Sequence, residues 1–500
     1  MNQMPVRRVV IVGGGTAGWM MGAAAARFLL DGERSVTLVE SDEIGTIGVG
    51  EATIPPVLGF NRMLGIDEEA FVRATNGTYK LGIEFVGWRT GADRYFHPFG
   101  THGRSIEGLN FHQIWLKMQA RGGVGDLGGY SASTVAAALG RFARPSGDPA
   151  SPLSGLAYAY HFDAGLYAAF LRRRAEASGI ERMEGRVVGI DRDAGTGHVA
   201  RVRLEDGRQI EGDLFVDCSG FRSLLLGETM QVPFVSYAQW LRCDRAIAVP
   251  SARAASLPPF TRSTAHRAGW QWRIPLQHRT GNGIVYASDY MDDDEAERLL
   301  LGRLEEAPIA APRRLSFAAG RRARMWEGNV VALGLAGGFL EPLESTSIHL
   351  IQEGISKLFA LFPDCRFTAI ERDEYNRLMG DAYESIRDFI ILHYHATERN
   401  DSPFWSDMTS MTVPDTLAAK IALFREKGRI FRYDDELFSI PSWVAVMLGQ
   451  GIVPEGYDPL VDALDEDRLA AALPHLREAV RHAVEGLPAH AGIFPPPVGA

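Results

Sequence analysis

The 500-residue chain has only three cysteines, Cys218, Cys243 and Cys365. They lie far apart and form no CxxC pair, which argues against a disulfide framework or a structural zinc site. Such sparse cysteine usage suits a reducing, cytoplasmic setting. Basic residues are in deficit, with 52 Lys and Arg against 62 Asp and Glu and a net charge of −10. A nucleic-acid binder normally carries a basic surplus, so that class is disfavoured. No apolar run approaches the roughly 18 residues that a membrane-spanning helix needs. The stretch Trp19 to Leu30 is broken by Gly22 and Arg27. The N-terminus reads as carrying no export signal, because Met1 to Pro5 lead directly into Arg7-Arg8 and a strand-like run. Internal repeats, low-complexity tracts and coiled-coil heptads are missing too. What is present is a globular composition, 46% hydrophobic and 23% charged, long enough to bury a large core without staples.

The opening residues are the most readable. Arg8 to Val12 is a short β-branched run, as a buried parallel strand requires. Gly13 to Gly18 follows, then an Ala- and Met-rich helix from Trp19 to Leu30 and a second strand from Ser35 to Glu40. This is a βαβ unit. Further on, residues 121–155 are rich in Gly, Ser and Pro and read as loop, and Ala164 to Ser178 reads as helix. Strands are expected at Arg186 to Ile190, Val199 to Leu204, Asp213 to Asp217 and Asn329 to Leu333. A helix is expected from Ser347 to Phe362, and residues 367–427 read as largely helical.

Gly13-x-Gly15-x-x-Gly18 sits between a strand and a helix, and Glu40 ends the next strand 22 residues later. Gly13 permits the tight turn, Gly15 lets backbone approach a pyrophosphate, and Gly18 allows close helix–strand packing. The N–H groups around Thr16 and Ala17 open a helix, whose positive end attracts phosphate. Glu40 can accept hydrogen bonds from ribose hydroxyls. A second match to the string, Gly123 to Gly128, follows a helix-like segment and has no acidic strand end, so it reads as loop. One fingerprint leaves FAD and NAD both open, but it points to reducing equivalents that arrive from elsewhere.

Several further stretches carry a resemblance. Gly48-Val49-Gly50-Glu51-Ala52-Thr53-Ile54-Pro55 follows the opening unit, and Lys80 lies in Gly77-Thr78-Tyr79-Lys80-Leu81-Gly82. Trp270-Gln271-Trp272-Arg273-Ile274-Pro275 fits W-x-W-x-I-P, and Gly334 to Thr346 ends in Leu340-Glu341-Pro342-Leu343-Glu344-Ser345-Thr346. In this order the motifs resemble the flavin-dependent halogenases of the tryptophan-halogenase type, from about residue 7 to 410. The tail beyond about 430 is less similar to the tryptophan-specific members.

The resemblance implies an α/β fold: a Rossmann-like FAD-binding domain of the flavin monooxygenase superfamily with a largely helical substrate-side module. Residues 1–360 are the expected core, with insertions at about 57–155 and 232–318, and 361–500 the C-terminal module. It implies that reduced FAD from a separate flavin reductase, acting transiently, reacts with O2 to form a flavin hydroperoxide. Chloride or bromide is then oxidised to hypohalous acid, which reaches a lysine beside a small aromatic substrate of indole type. By position Lys80 matches the lysine, Glu344 the assisting glutamate, and Thr346 and Ser347 the halide-binding pair. Gly50, Val187, Leu335 and Ile348 match cofactor-binding positions alongside Gly13, Gly15, Thr16, Ala17, Gly18 and Glu40. Trp270 and Trp272 match the wall between flavin and substrate, and His97 and Phe99 the substrate pocket. Ser347 stands where the tryptophan-specific members usually have glycine, which bears on halide preference. Glu344 also reads as a helix N-cap carboxylate, a role compatible with catalysis.

A flavin-dependent monooxygenase of the same superfamily fold is the alternative, against which Lys80 and the two tryptophans stand. The expected reading includes no metal site, because His393 and His395 lie two apart on a helix and face different sides. Asp292 to Glu295 lacks the pattern of a calcium loop and reads as a helix start. No membrane or nucleic-acid partner is expected. The oligomeric state stays open, with a homodimer as one option. In the tail, Tyr433 to Val444 shows no tandem-tyrosine lid, and Ala445 to Gly451 reads as an open apolar mouth.

Overall fold

Valine and isoleucine at positions 9 to 12 suit a strand buried on both faces, and Arg8–Val12 lies inside a six-stranded sheet. The computed structural model describes residues 4–43, 50–433 and 436–494. Gly48, Val49, Asp434 and Asp435, quoted above, lie outside them. Across the sheet the order is Trp326–Glu327, Val330–Ala332, Leu214–Asp217, Arg8–Val12, Ser35–Glu40 and Glu181–Glu184. All neighbours run parallel except the first pair. This is the Rossmann-like layer expected from the opening residues.

Helix Thr16–Phe28 leaves the end of Arg8–Val12 through the glycine turn and packs on helix Ala164–Ala177. Gly13 has φ +113°, and a side chain there would meet the Cys218 carbonyl oxygen at 2.2 Å. Gly18 lies so close to the turn that a Cβ would fall 1.8 Å from the Gly13 carbonyl oxygen. Both glycines are therefore steric requirements of the crossover.

A seven-stranded sheet forms the substrate side. Its order is Arg313–Ser316, Arg245–Ala252, Arg279–Tyr286, Gly269–Pro275, Thr261–His266, Gly82–Val86 and Arg94–Pro98. Pairing is antiparallel except between Thr261–His266 and Gly82–Val86. A small sheet of Gly50–Ala52, Ala159–Asp163 and Thr78–Lys80 lies beside this one, its first strand packed on Gly269–Pro275 and Arg279–Tyr286. Helix Ser347–Ala360 packs on the long helix Ala369–His395 across the boundary expected near residue 360. One hydrophobic core runs from Val9 through Trp270 to Trp443 and Val480.

Residues 121–155 are not all loop. Ala132–Ala138 is a helix, because Ser131 caps it by accepting the Thr134 N–H and the run Ala132 to Ala138 is alanine-rich. Composition averaged over the Gly- and Pro-rich flanks concealed it. The strands at Val187–Arg192 and Val199–Leu204 pair with Gln209–Glu211 in a separate sheet, whereas Leu214–Asp217 joins the main one. Asp292 does start a helix, accepting the Glu295 N–H.

Alanine ordinarily favours a helix over glycine by up to about 1 kcal/mol. At position 18 the sign reverses, since the obstructing atom is backbone. Gly18→Ala is expected to cost about 2 kcal/mol or more, read as a lower urea-unfolding midpoint, and to weaken FAD retention in equilibrium dialysis.

Candidate active site

Lys80 ends a three-residue strand whose neighbour, Ala159–Asp163, also pairs with Gly50–Ala52. The side chain is fully buried. Its Nζ donates to the Thr53 carbonyl oxygen at 3.0 Å and to Ser345 Oγ at 2.8 Å, and lies 5.2 Å from the centre of the Phe99 ring. Thr53 is held by its own hydrogen bonds to Tyr160. Ser345 has a left-handed backbone, φ +60°, an uncommon and strained conformation for a residue with a side chain. Burial lowers the Lys80 pKa to about 7, although the Glu344 carboxylate pulls it upward.

Glu344 ends a one-turn helix, Pro342–Glu344, and is also fully buried. Its carboxylate lies between two imidazoles. His97 Nδ1, from strand Arg94–Pro98, is 3.0 Å from Oε2. His393 Nε2, from helix Ala369–His395, is 2.8 Å from Oε1, a close charge contact without the alignment of a full hydrogen bond. Burial alone would raise the carboxyl pKa; His97 and His393 outweigh it and bring it to about 2. The N-cap reading of Glu344 is corrected here. Helix Ser347–Ala360 begins after Thr346 with no side-chain cap, and the Glu344 carboxylate is turned to the histidines instead.

The same short segment carries a second buried acid. Glu341 Oε2 accepts the Trp270 indole N–H at 3.0 Å and the Tyr394 hydroxyl at 2.6 Å, while Oε1 has no partner. Burial pushes its pKa up to about 7, against the pull of those two donors. Trp270 and Trp272 lie on one face of their strand with ring centres 6.1 Å apart, as the two-residue spacing predicts. Sequence reasoning missed Glu341 and His393. Glu341 stands in the quoted run Leu340 to Glu344, and an acid flanked by Leu and Pro was the available signal. His393 was weighed only as a metal ligand. Among the described residues no group of three or more His, Cys, Asp or Glu is arranged to hold a metal ion.

The other predicted residues fall into two places. Around Lys80 and Glu344 stand His97, Phe99, Thr346 and Ser347. His97 and Phe99 rings are 6.5 Å apart, and His97 Nε2 is buried without a partner. Thr346 Oγ1 is likewise buried and unpartnered. The N–H groups of Ser347, Ile348 and His349 open a helix and find no acceptor among the described residues, which makes an anion-binding end. The second place is the glycine turn. The N–H groups of Thr16, Ala17 and Gly18 are also free among the described residues, so backbone and glycine geometry together fit a pyrophosphate. Glu40 stands over the turn, since a Cβ on Gly14 would lie 1.5 Å from its Oε2. That oxygen accepts the Trp19 indole N–H, and Oε1 pairs with Arg182 and Arg172. Val187 begins its strand, Leu335 lies in the turn Gly334–Ala336, Ile348 is in the first turn of its helix, and Gly50 packs near Ile274, Leu276 and Gly281.

The C-terminal tail closes on this region. Phe438 stacks on Phe389 with ring centres 3.7 Å apart, and Trp443 meets Phe389 edge-on. Phe389 and Phe438 both pack near the His97 ring. Ala445 to Gly451 is not an open mouth. Most of it belongs to helix Ile440–Gly449, which is packed against strand Arg94–Pro98. The stretch was read as an open mouth because small apolar residues suit a buried helix as well as an open wall.

The chain is similar to known proteins over nearly all of its length. The sequence profile of the family described as tryptophan halogenase matches residues 8–466. The tryptophan 6-halogenase SttH of Streptomyces toxytricini is 36% identical over 525 residues, covering 99% of each chain. A flavin-dependent halogenase from Xanthomonas campestris superposes with TM-score 0.95 at 49% identity, covering 99% of this chain and 100% of that one. The halogenase BrvH from Brevundimonas sp. BAL3 gives 0.94 at 46% identity, with 98% of both covered. The chain belongs to the tryptophan halogenase family and is a flavin-dependent halogenase. Among the described residues no helix is long and apolar enough to cross a membrane.

The cost of burying Lys80 can be measured. The folded protein releases the Lys80 proton near pH 7, against about 10.5 for an ordinary lysine. Between these values the unfolded chain binds more protons, so stability rises with pH and the penalty is fully present at and below pH 7. Lys80→Met is therefore expected to be more stable than the parent by on the order of a few kcal/mol at pH 7. The gap should close as pH approaches 10.5, read from urea midpoints of both proteins across that range.

Proposed function

We propose that this enzyme halogenates a neutral indole, or a larger indole-bearing molecule, and that bromide serves at least as well as chloride. The observation that carries the reading is the fully buried amine of Lys80, held between Thr53 and Ser345 beside Phe99. Reduced FAD, delivered by a separate flavin reductase, supplies with O2 the two-electron oxidation that turns halide into hypohalous acid. The chain's own residues do the rest. Gly13 to Gly18 and the end of helix Thr16–Phe28 bind the FAD pyrophosphate, and Glu40 faces the ribose. Gly50, Val187, Leu335 and Ile348 line the flavin through backbone atoms. Thr346 and Ser347 hold the halide at the positive end of their helix. Trp270 and Trp272 wall the passage and keep substrate from the flavin.

With its pKa near 7, Lys80 is present at neutral pH both as ammonium and as amine. The ammonium polarises hypohalous acid as a hydrogen-bond donor, and the amine captures the halogen. On the amine route water leaves as the N–halogen bond forms, and the nitrogen is reprotonated when the ring takes the halogen. On the ammonium route the oxygen leaves as water, with the ammonium proton, as the ring carbon takes the halogen. On both the ring proton passes to Glu344. His97 and Phe99 touch the substrate ring. Relatives such as SttH are named for tryptophan. A site made for the free amino acid needs partners for its ammonium and carboxylate, and loses affinity for ligands that lack them. Here the wall near His97 is aromatic, formed by Phe99, Phe389, Phe438 and Trp443. Behind it Lys420 and Glu436 pair with each other at 2.9 Å. The Ser347 side chain beside the halide end and the ready oxidation of bromide favour the larger ion.

Lys80→Ala is expected to bind FAD and to consume reduced flavin and O2, yet to release no halogenated product; halogenation by that variant would remove Lys80 from its role. Without a reductase the purified chain should leave NADH unoxidised. Mass spectrometry with a reductase, NADH and either halide should find halogenated indole in preference to halogenated tryptophan. Regiospecific chlorination of free tryptophan with indole untouched would overturn the substrate assignment.

A further inference from the structure

We propose that His393 is a positioning residue for the halogenation step, which holds the Glu344 carboxylate in place as the anion that accepts the ring proton. The proposal rests on the proton-accepting role given to Glu344 above and names what makes that role available in a dry site.

The geometry constrains the protons. His393 Nδ1 lies 2.8 Å from the carbonyl oxygen of Phe389, one turn back on the same helix. A carbonyl can only accept, so Nδ1 carries its hydrogen. The other nitrogen, Nε2, faces Glu344 Oε1 at 2.8 Å. A charged ring at that distance attracts the carboxylate without the alignment of a hydrogen bond. The ring has little freedom to turn away. Phe85, Phe389 and Trp88 surround it with ring centres 4.9, 5.2 and 6.1 Å away. The Gln450 side-chain amide donates to the His393 backbone carbonyl, which fixes the end of the helix.

The groups that face Glu344 come from three elements. His97 and Tyr95 come from strand Arg94–Pro98, with the Tyr95 hydroxyl buried and unpartnered. Lys80 comes from the strand Thr78–Lys80 and His393 from helix Ala369–His395. The two histidines are the groups in contact with the carboxylate: His97 Nδ1 reaches both oxygens, at 3.1 and 3.0 Å, and His393 Nε2 reaches Oε1 at 2.8 Å. Burial of an acid without a partner drives it to the neutral form, and a neutral carboxylic acid cannot take a proton from the substrate ring. His393 thus offsets the dryness that Lys80 chemistry requires.

The test uses His393→Phe and His393→Gln in the full-length enzyme, supplied with reduced FAD, bromide and indole, with product and flavin oxidation followed together over a range of pH. In the parent enzyme, product per flavin oxidised is expected to follow only the titration of Lys80 on the acid side. In His393→Phe it should fall about tenfold per pH unit below a raised Glu344 pKa and recover at alkaline pH. His393→Gln keeps an N–H donor but cannot bear a charge, so its acid limb should lie between the two. In infrared difference spectra near neutral pH, His393→Phe should show a protonated carboxyl band that is lost on further substitution Glu344→Gln. A uniform loss with an unshifted pH profile, or no carboxyl band, would overturn the proposal. If His393→Phe fails to fold, an unshifted profile in His393→Gln would overturn it equally. Absence of halogenated indole in the parent enzyme would count against the proposed substrate instead, and the infrared result would still decide the role of His393.

Discussion

An amine without access to water sets the terms for the rest of this molecule. Lys80 keeps two acceptors, the Thr53 carbonyl and Ser345 Oγ, and gives up the rest of its hydration. For that to hold, the small sheet that ends in Lys80 has to be pinned on one side and the turn before helix Ser347–Ala360 on the other. Thr53 is locked onto Tyr160, and Ser345 accepts a left-handed backbone. Aromatic side chains from the C-terminal helices then exclude water near His97. Local strain and a buried nitrogen are offset by the large core around them, a common division of labour at reactive sites.

The dryness that suits an amine penalises an acid, and the segment from Glu341 to Glu344 shows two outcomes. Glu341 receives two neutral donors on one oxygen and keeps the other bare, so burial dominates and the acid form is favoured. Glu344, three residues on, has an imidazole on each oxygen and stays an anion. Two carboxyls of the same type are driven apart by what faces them, which is how one scaffold obtains both an acid and a base.

Much of this was legible in the sequence, and what was hidden had physical causes. Arg8 to Val12, the glycine turn and Ser35 to Glu40 were readable because local sterics alone dictate them. The positions of Lys80 and Glu344 came from the order of the motifs, since neither residue is distinguished by its neighbours' periodicity. The helix Ala132–Ala138 was lost in a stretch averaged as loop, although one serine cap decides it. His393 escaped because it is about fifty residues from Glu344 in sequence and reaches it only by the packing of the long helix. The tail escaped for a similar reason: Phe438 and Trp443 matter through contact with Phe389, and such contacts leave no trace in composition.

Ser345 sits at the centre of the short segment before helix Ser347–Ala360. Its neighbours in the chain are Glu344, turned to the histidines, and Thr346, the residue before the free helix end. Its own hydroxyl grips Lys80. On the proposed function, base, amine anchor and anion seat are thus consecutive links of one chain, with the middle link in a conformation that admits few alternatives. Such a segment has no slack. Loops on the outer face can lengthen or shorten as the enzyme's relatives diverge, but a single insertion here would throw all three functions out of register at once. The spacing between them is set by the peptide bond itself rather than by packing, and it should be the last dimension of the site to drift.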